Sequence, residues 1–234
     1  MARTMIVGDV HGCADELARL LELLGPVSDD RVLFVGDLVA RGPDTRGVLA
    51  LYRQVQARSV VGNHELRLLK AHHARLTGAK RLRLPGPQYA LLHQLAEEDW
   101  ELLAALPLYL SLLEHDLCIV HAGLLPGLPL EAQDAWTLTN VRSIDPEGRA
   151  TDRHDLEPWA LRYRDGPHIV FGHNSRLGLQ LQPRATGLDT GCVYGGQLSA
   201  LVLEAGETVP EDIVERRQLV QAVPAARSYY AGRA

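Results

Sequence analysis

Thiols are scarce in this chain. Cys13, Cys118 and Cys192 are odd in number, far apart and free of any Cys-x-x-Cys spacing, which excludes a disulfide framework or a structural zinc cluster and points to a reducing compartment. Lysine is scarcer still, with Lys70 and Lys80 alone among 24 basic residues and a formal net charge of -5. No basic track is present that would grip an extended nucleic acid, while a small nucleotide or one phosphorylated end stays within reach of the arginines. No apolar run is long enough to span a bilayer and no apolar leader precedes the first strand, so a soluble, cytoplasmic protein without a membrane partner is expected. Repeats of solenoid length and low-complexity linkers are missing too. The 234 residues suit one α/β domain and are short for two.

What recurs is a short grammar, in which an apolar run stops at glycine and polar residues and a helical pattern follows. Met5-Ile6-Val7 stops at Gly8-Asp9-Val10-His11-Gly12, with a helix expected from about Ala14. An Asp and a His two residues apart at a strand tip can aim an oxygen and a nitrogen at one cation. Alone, the stretch reads equally well as a strand-to-helix turn. Residues 31–35 stop at Gly36-Asp37-Leu38-Val39-Ala40-Arg41-Gly42-Pro43, before a helix to about Val55. Ser59-Val60-Val61 stops at Gly62-Asn63-His64-Glu65, before a helix through Lys70, although Asn63 by itself would be taken for a helix cap. Three such units predict a parallel sheet whose carboxyl edge gathers ligands.

Residues 71–107 read as a Leu-rich helical stretch broken by a turn or exposed loop at Pro85-Gly86-Pro87, with His72, His73 and His93 as surface or packing residues. A hairpin over 108–113 and 117–120 ends on His121-Ala122-Gly123, and a strand over 168–171 stops at Gly172-His173. Residues 149–164 are irregular and polar; strands over 185–188 and 198–203 flank Asp189-Thr190-Gly191-Cys192-Val193-Tyr194-Gly195-Gly196. Beyond Glu211 the charged, then aromatic end is expected as a partly mobile tail, which sets one domain at 1–210 and a tail at 211–234.

Asp9, His11, Asp37, Asn63, His121 and His173 thus each lie just past a strand. This is more than one cation needs, and two divalent ions sharing a carboxylate could hold a bridging hydroxide for in-line attack at phosphorus. Arg41 and Arg142 would then bind the nonbridging phosphoryl oxygens. Oxygen and imidazole donors accept manganese, iron, zinc or cobalt.

The ordered set Gly-Asp-x-His-Gly, Gly-Asp-x-Val-x-Arg-Gly, Gly-Asn-His-Glu, His-Ala-Gly and a late Gly-His resembles the phosphoprotein phosphatase branch of the calcineurin-like metallophosphoesterases, over about residues 4–203. The resemblance implies an α/β fold, a sandwich of two mixed β-sheets flanked by helices, with a dinuclear centre at the strand ends and manganese as the first expectation. By it, Asp9 and His11 bind the first metal, Asp37 bridges, Asn63, His121 and His173 bind the second, and His64 is the general acid. Eukaryotic-type protein phosphatases carry, at the position of Ala40, an Asp that holds the catalytic His, so what orients His64 is left open. Residues 36–43 and Leu188-Asp189-Thr190-Gly191-Cys192 with Gly195-Gly196 are instead similar to symmetrical diadenosine tetraphosphatases. Asn140-Val141-Arg142-Ser143 and the short stretch between His121 and His173 are similar to the ApaH-like phosphatases. The expected activity is hydrolysis of a phosphoanhydride in a nucleoside polyphosphate, either diadenosine tetraphosphate to ADP or a capped RNA end. Asp189 and Tyr194 would stand on a nucleoside-facing wall, or else serve a tight turn and packing. The alternatives are a serine/threonine or tyrosine protein phosphatase and a metal-binding module without catalysis. Oligomeric state is not legible.

Overall fold

In the computed structural model, which describes residues 2–80 and 82–231, β1 (Thr4–Val7) is buried along its whole length. Its side chains alternate, Met5 and Val7 joining the core under the helices and Ile6 the core between the sheets. A strand covered on both faces needs a continuous apolar run, and Met5-Ile6-Val7 supplies it. β2 (Arg31–Phe34) and β3 (Arg58–Ser59) follow in the expected parallel order, with Val7 opposite Phe34 and Phe34 opposite Ser59. On its other side β1 pairs antiparallel with β11 (Gln197–Leu203). The crossover helices α1 (Ala14–Leu24) and α2 (Thr45–Gln54) bury Leu17, Leu20 and Leu49 in the first core.

The second sheet is ordered β4 (Tyr109–Leu112), β5 (Leu117–Val120), β8 (His168–Phe171), β10 (Ala185–Gly187), β9 (Gln180–Gln182), and it too mixes parallel and antiparallel pairs. Its Leu117, Ile119 and Val170 meet Ile6, Leu33 and Leu201 of the first sheet, while Val120 and Phe171 face outward to Trp159. This is the expected sandwich of two mixed sheets. A short ribbon of β6 (Ser143–Ile144) and β7 (Ala150–Thr151) follows α6 (Ala135–Asn140). The loops after β1, β2, β3, β5 and β8 converge, bringing Asp9, Asp37, Asn63, His121 and His173 together. No helix among the described residues is long and apolar enough to cross a membrane.

α3 (Asn63–Thr77), α4 (Gly86–Gln94) and α5 (Glu97–Ala104) make up the Leu-rich helical stretch. His72 stacks on Trp100 with ring centroids 3.9 Å apart, a packing role. Pro85-Gly86-Pro87 does not form a separate exposed loop but starts α4. Proline lacks the N–H that a first helical turn leaves unpaired anyway.

The end of the chain also departs from expectation. Past Glu211, the stretch expected as a partly mobile tail carries α7 (Ile213–Gln218) and β12 (Val220–Pro224), and β12 is the edge strand beside β11. A boundary at residue 210 would cut this sheet. Charge in the sequence misled because Arg216 is fully buried and donates to the carbonyls of Gln182, Pro183, Pro210 and Glu211. Buried Glu16 Oε1 accepts from Ala226 N and Tyr229 Oη, each at 2.9 Å, tying residues 226–229 to α1. A charge that reads as solvated surface serves here as a partner for backbone groups.

His168 on β8 is buried with Nε2 2.9 Å from Thr186 Oγ1. Burial, then Arg216 and Arg184, push its pKa down from 6.5 to about 3. The unfolded chain therefore takes up a proton that the folded protein refuses, so stability is intact above pH 6.5 and declines as pH falls toward 3. The expected loss between pH 6.5 and 5 is about 2 kcal/mol. Urea midpoints measured across this range should fall less steeply for His168→Gln than for the wild type. Equal slopes would remove His168 as the cause.

Candidate metal centre

Asp37, at the tip of β2, lies in the middle of the site. Its Oδ2 is 3.5 Å from His11 Nε2 and 3.4 Å from His121 Nε2, and its Oδ1 accepts from His64 N at 3.0 Å. Two groupings of candidate ligands share it, one with His11 and His64 and one with His121 and His173. Asp9 Oδ2 is 4.0 Å from His11 Nε2, and the two Asp9 oxygens face His173 N at 3.2 and 3.1 Å. Asn63 Oδ1 is 3.2 Å from His121 Nε2. The predicted ligands, scattered over most of the chain, thus meet in one place.

Backbone carbonyls decide which imidazole nitrogen faces inward. Val39 O lies 3.3 Å from His11 Nδ1, and Val35 O lies 2.8 Å from His121 Nδ1. Each carbonyl takes the Nδ1 proton and turns Nε2 toward Asp37, the nitrogen through which each imidazole could ligate a metal. For His173 the order is reversed, with Nε2 donating to Asn140 O at 3.1 Å and Nδ1 left over.

Burial opposes charge throughout the cluster. It lowers His11 and His173 and raises Asp9, which Asp189 raises further. Burial also works to raise Asp37, yet His121, His64 and His11 hold its carboxyl well below the usual range. Burial likewise works against a charged His121, but Asp37 prevails and takes it up to about 10. A buried carboxylate pair that recruits a proton onto a neighbouring imidazole is a site that demands positive charge. Two carboxylates, three imidazoles and an amide oxygen, with no thiolate, fit a pair of divalent cations.

The loops that carry these groups are strained. His11, Asp37 and His173 have φ of 49°, 50° and 67°, and Ala40 and Arg41 follow at 70° and 65°. Each such residue costs roughly 1–3 kcal/mol, which the surrounding structure must offset. Gly36, at φ 96°, allows a close approach, since a Cβ there would stand 2.8 Å from Gly62 N and 2.9 Å from His121 Nδ1. Much of the holding falls to Glu65, which sequence reasoning passed over. Its carboxylate, fully buried, accepts from Asp37 N at 2.9 Å, Gly62 N at 2.8 Å and Val39 N at 3.1 Å. Burial, then Asp37, pushes it up to about 7. The signal was available, because Glu three residues after the residue preceding a helix is half of a capping box.

Arg41, Arg142, His64 and Tyr194 line one small pocket with Asp37, Asn63 and His173. Arg41 Nη1 stands 2.9 Å from His11 Nε2, so the guanidinium supplies the positive charge that faces this imidazole. Its Cζ lies 5.5 Å from the centre of the Tyr194 ring and 5.7 Å from that of Tyr230, which hold the guanidinium from outside. Arg142 Nη1 is 3.4 Å from Asp152 O, and its buried Nε has no partner among the described residues. Asp189 is placed otherwise than expected. It is buried, its Oδ1 accepts from Gly191 N at 3.1 Å, and it acts on Asp9 from behind without lining the pocket. Cys13 and Cys192, far apart in sequence, also meet, beside Glu16 in the first core.

The chain is similar to known proteins over most of its length. A symmetrical bis(5'-nucleosyl)-tetraphosphatase of Aromatoleum aromaticum is 33% identical over 85% of this chain and 92% of its own length. An asymmetrical bis(5'-nucleosyl)-tetraphosphatase of Oceanobacillus iheyensis is 32% identical over 83% of this chain and 86% of its own. A crystal structure of a candidate diadenosine tetraphosphatase superposes with a TM-score of 0.81 at 34% identity, covering 99% of this chain and 95% of that one. Residues 2–206 match the calcineurin-like phosphoesterase family. With that match and a carboxylate-centred donor set for two cations, the chain belongs to the calcineurin-like phosphoesterases and is a metal-dependent phosphohydrolase.

Proposed function

We propose that this enzyme cleaves the phosphoanhydride chain of a dinucleoside polyphosphate such as diadenosine tetraphosphate, with two divalent ions, manganese first, in a reducing cytoplasm that its buried free thiols suit. The observation that carries the reading is that Arg41 belongs to two neighbouring spaces. It lines the small pocket over Asp37, and it also lines an adjoining groove of about 480 Å³ with Arg46, Arg227, Pro87, Leu91 and Tyr229. A phosphomonoester would need the first space alone, whereas a substrate with several phosphates and a nucleoside would extend into the second. Tetraphosphatase names among the relatives support the same substrate class.

Asp9, His11, Asp37, Asn63, His121 and His173 would hold the ions, which supply Lewis-acid charge at phosphorus and activate the attacking water. Arg41 and Arg142 bind the nonbridging oxygens of the reacting phosphoryl group. His64, on the first turn of α3, hands a proton to the leaving oxygen. His64→Ala is accordingly expected to keep its metal and to lose about 100-fold or more in kcat where the leaving group is a poor one, with far less loss where it is good. Metal content by mass spectrometry and rates on two esters check this together.

The deciding experiment is product analysis with the manganese-loaded protein, offering diadenosine tetraphosphate and a phosphopeptide at equal concentration. ADP alone, released faster than phosphate from the peptide, is the expected result. ATP with AMP would move the attack to an outer phosphorus and overturn the symmetrical assignment. Phosphate from the peptide with the dinucleotide untouched would make this a protein phosphatase.

A further inference from the structure

α4 carries a buried stripe at helical spacing, Gln88, Leu91, Leu92 and Leu95, the last just past its end. Three of the four positions are leucine, as a helix docked on a core requires. Gln88 is the exception, at 5% exposure. An amide buried without a partner costs about 1–3 kcal/mol, so packing alone would favour a fourth leucine. The partner that Gln88 finds is catalytic. Its Nε2 lies 3.3 Å from Nδ1 of His64, which is itself buried at the start of α3.

Ala40, two residues before Gly42, is a methyl group and offers His64 nothing to hold. Its amide N–H is spent on Thr45 Oγ1 at 3.2 Å. The opposite face of His64 meets His11, with ring centroids 4.9 Å apart in an edge-on arrangement. That contact limits the tilt of the ring but does not choose which nitrogen points into the pocket. A hydrogen bond at Nδ1 does choose, because it leaves Nε2 as the nitrogen for the substrate.

We propose that Gln88 is the positioning residue of His64, its side-chain amide gripping Nδ1 so that Nε2 faces the oxygen that leaves phosphorus. This rests on the reading of His64 as general acid. An amide suits the task for a reason a carboxylate does not share. Its NH₂ end can donate to a bare Nδ1, and a half-turn presents its oxygen to accept from Nδ1–H, so the ring is held before and after it gives up its proton. The amide adds no net charge beside Asp37.

Four variants test this, Gln88→Leu, Gln88→Glu, His64→Ala and the double variant of Gln88→Leu with His64→Ala, with metal content measured for each. Gln88→Leu completes the apolar stripe, so the fold should persist. Its kcat on phenyl phosphate is expected to fall about 10- to 100-fold, with a change of less than about threefold on 4-nitrophenyl phosphate, whose leaving group needs no proton. KM and metal content should stay level. The double variant with His64→Ala should be no slower than His64→Ala alone, since the two residues act as a unit. Gln88→Glu, which keeps an acceptor for Nδ1–H, should recover most of the lost rate. A readout independent of turnover is the ¹⁵N chemical shift of His64 Nδ1, which should move in Gln88→Leu while those of His121 and His173 do not. An unchanged shift, equal losses on both esters, or multiplicative losses in the double variant would each overturn the proposal. If His64→Ala itself showed equal losses on both esters, the general-acid reading would fail, and an Nδ1 shift still dependent on Gln88 would show the contact surviving it.

Discussion

Asp37→Asn is expected to reduce turnover by at least about a thousandfold and to lower bound metal toward none. The substitution keeps shape and volume but removes the one charge that both candidate ligand groupings share, 3.5 Å from His11 Nε2 and 3.4 Å from His121 Nε2. The amide would also set its NH₂ either against both imidazoles or, with its oxygen kept there, against the N–H of His64. Each decade of rate corresponds to about 1.4 kcal/mol, so a loss of some 4 kcal/mol in charge stabilisation accounts for the expected factor. Inductively coupled plasma mass spectrometry of the purified variant, beside its kcat on a phosphate ester, reads both effects. Retention of two metals with near-normal kcat would mean that Asp37 is not the shared ligand. The contrast with His64→Ala is the useful one, because that variant should lose rate and keep metal.

The second large effect is expected at a residue that touches neither metal nor substrate. Glu65→Ala would leave the buried Asp37 N, Val39 N and Gly62 N without their common acceptor. Unpaired buried donors cost about 1–3 kcal/mol each, so the variant should lose about 3–9 kcal/mol, a large share of a domain's total. Residues 36–41 would be the first to yield, since Asp37, Ala40 and Arg41 sit at positive φ and depend on the loop being held. Glu65→Gln should fall between the two, because its oxygen can serve two of the N–H groups while its NH₂ meets the third as another donor. Urea unfolding midpoints for the three proteins check the order. A Glu65→Ala midpoint equal to that of the wild type would show that the loop stands without this carboxylate.

Legibility of the site followed the distance over which each role acts. Metal ligation is confined to a few atoms at strand ends, and Asp, Asn or His close to a glycine after an apolar run marks those ends, so Asp9, His11, Asp37, Asn63, His121 and His173 could be picked out as candidates by the recurrence of the pattern, though not singly. Glu65 and Gln88 act on the backbone and side chains of other segments. Glu65 reaches 28 residues back to Asp37 and Gln88 24 back to His64, separations for which a sequence has no period. Asp189 failed as a wall residue for a related reason. A strand-end Asp can face outward or turn back onto its own loop, and Gly191 N drew it back.

The fold divides the same way. Local patterning determined by itself that β1, β2 and β3 are parallel strands with helices between them, because the side-chain period of a strand and the turn chemistry at its end are properties of a few neighbouring residues. It also determined the kinds of donor atom available and hence the class of ion they fit. Tertiary structure alone decided that the charged C-terminal stretch becomes the edge strand β12, by burying Arg216 against four carbonyls and Glu16 against the chain's end. It alone decided which nitrogen of each histidine faces Asp37, since that depends on carbonyls of Val35, Val39 and Asn140 brought from other segments. A hydrogen bond between distant residues exists only once the backbone has closed around it, and for that reason the candidate ligands of this centre were legible in the sequence while their orientation was not.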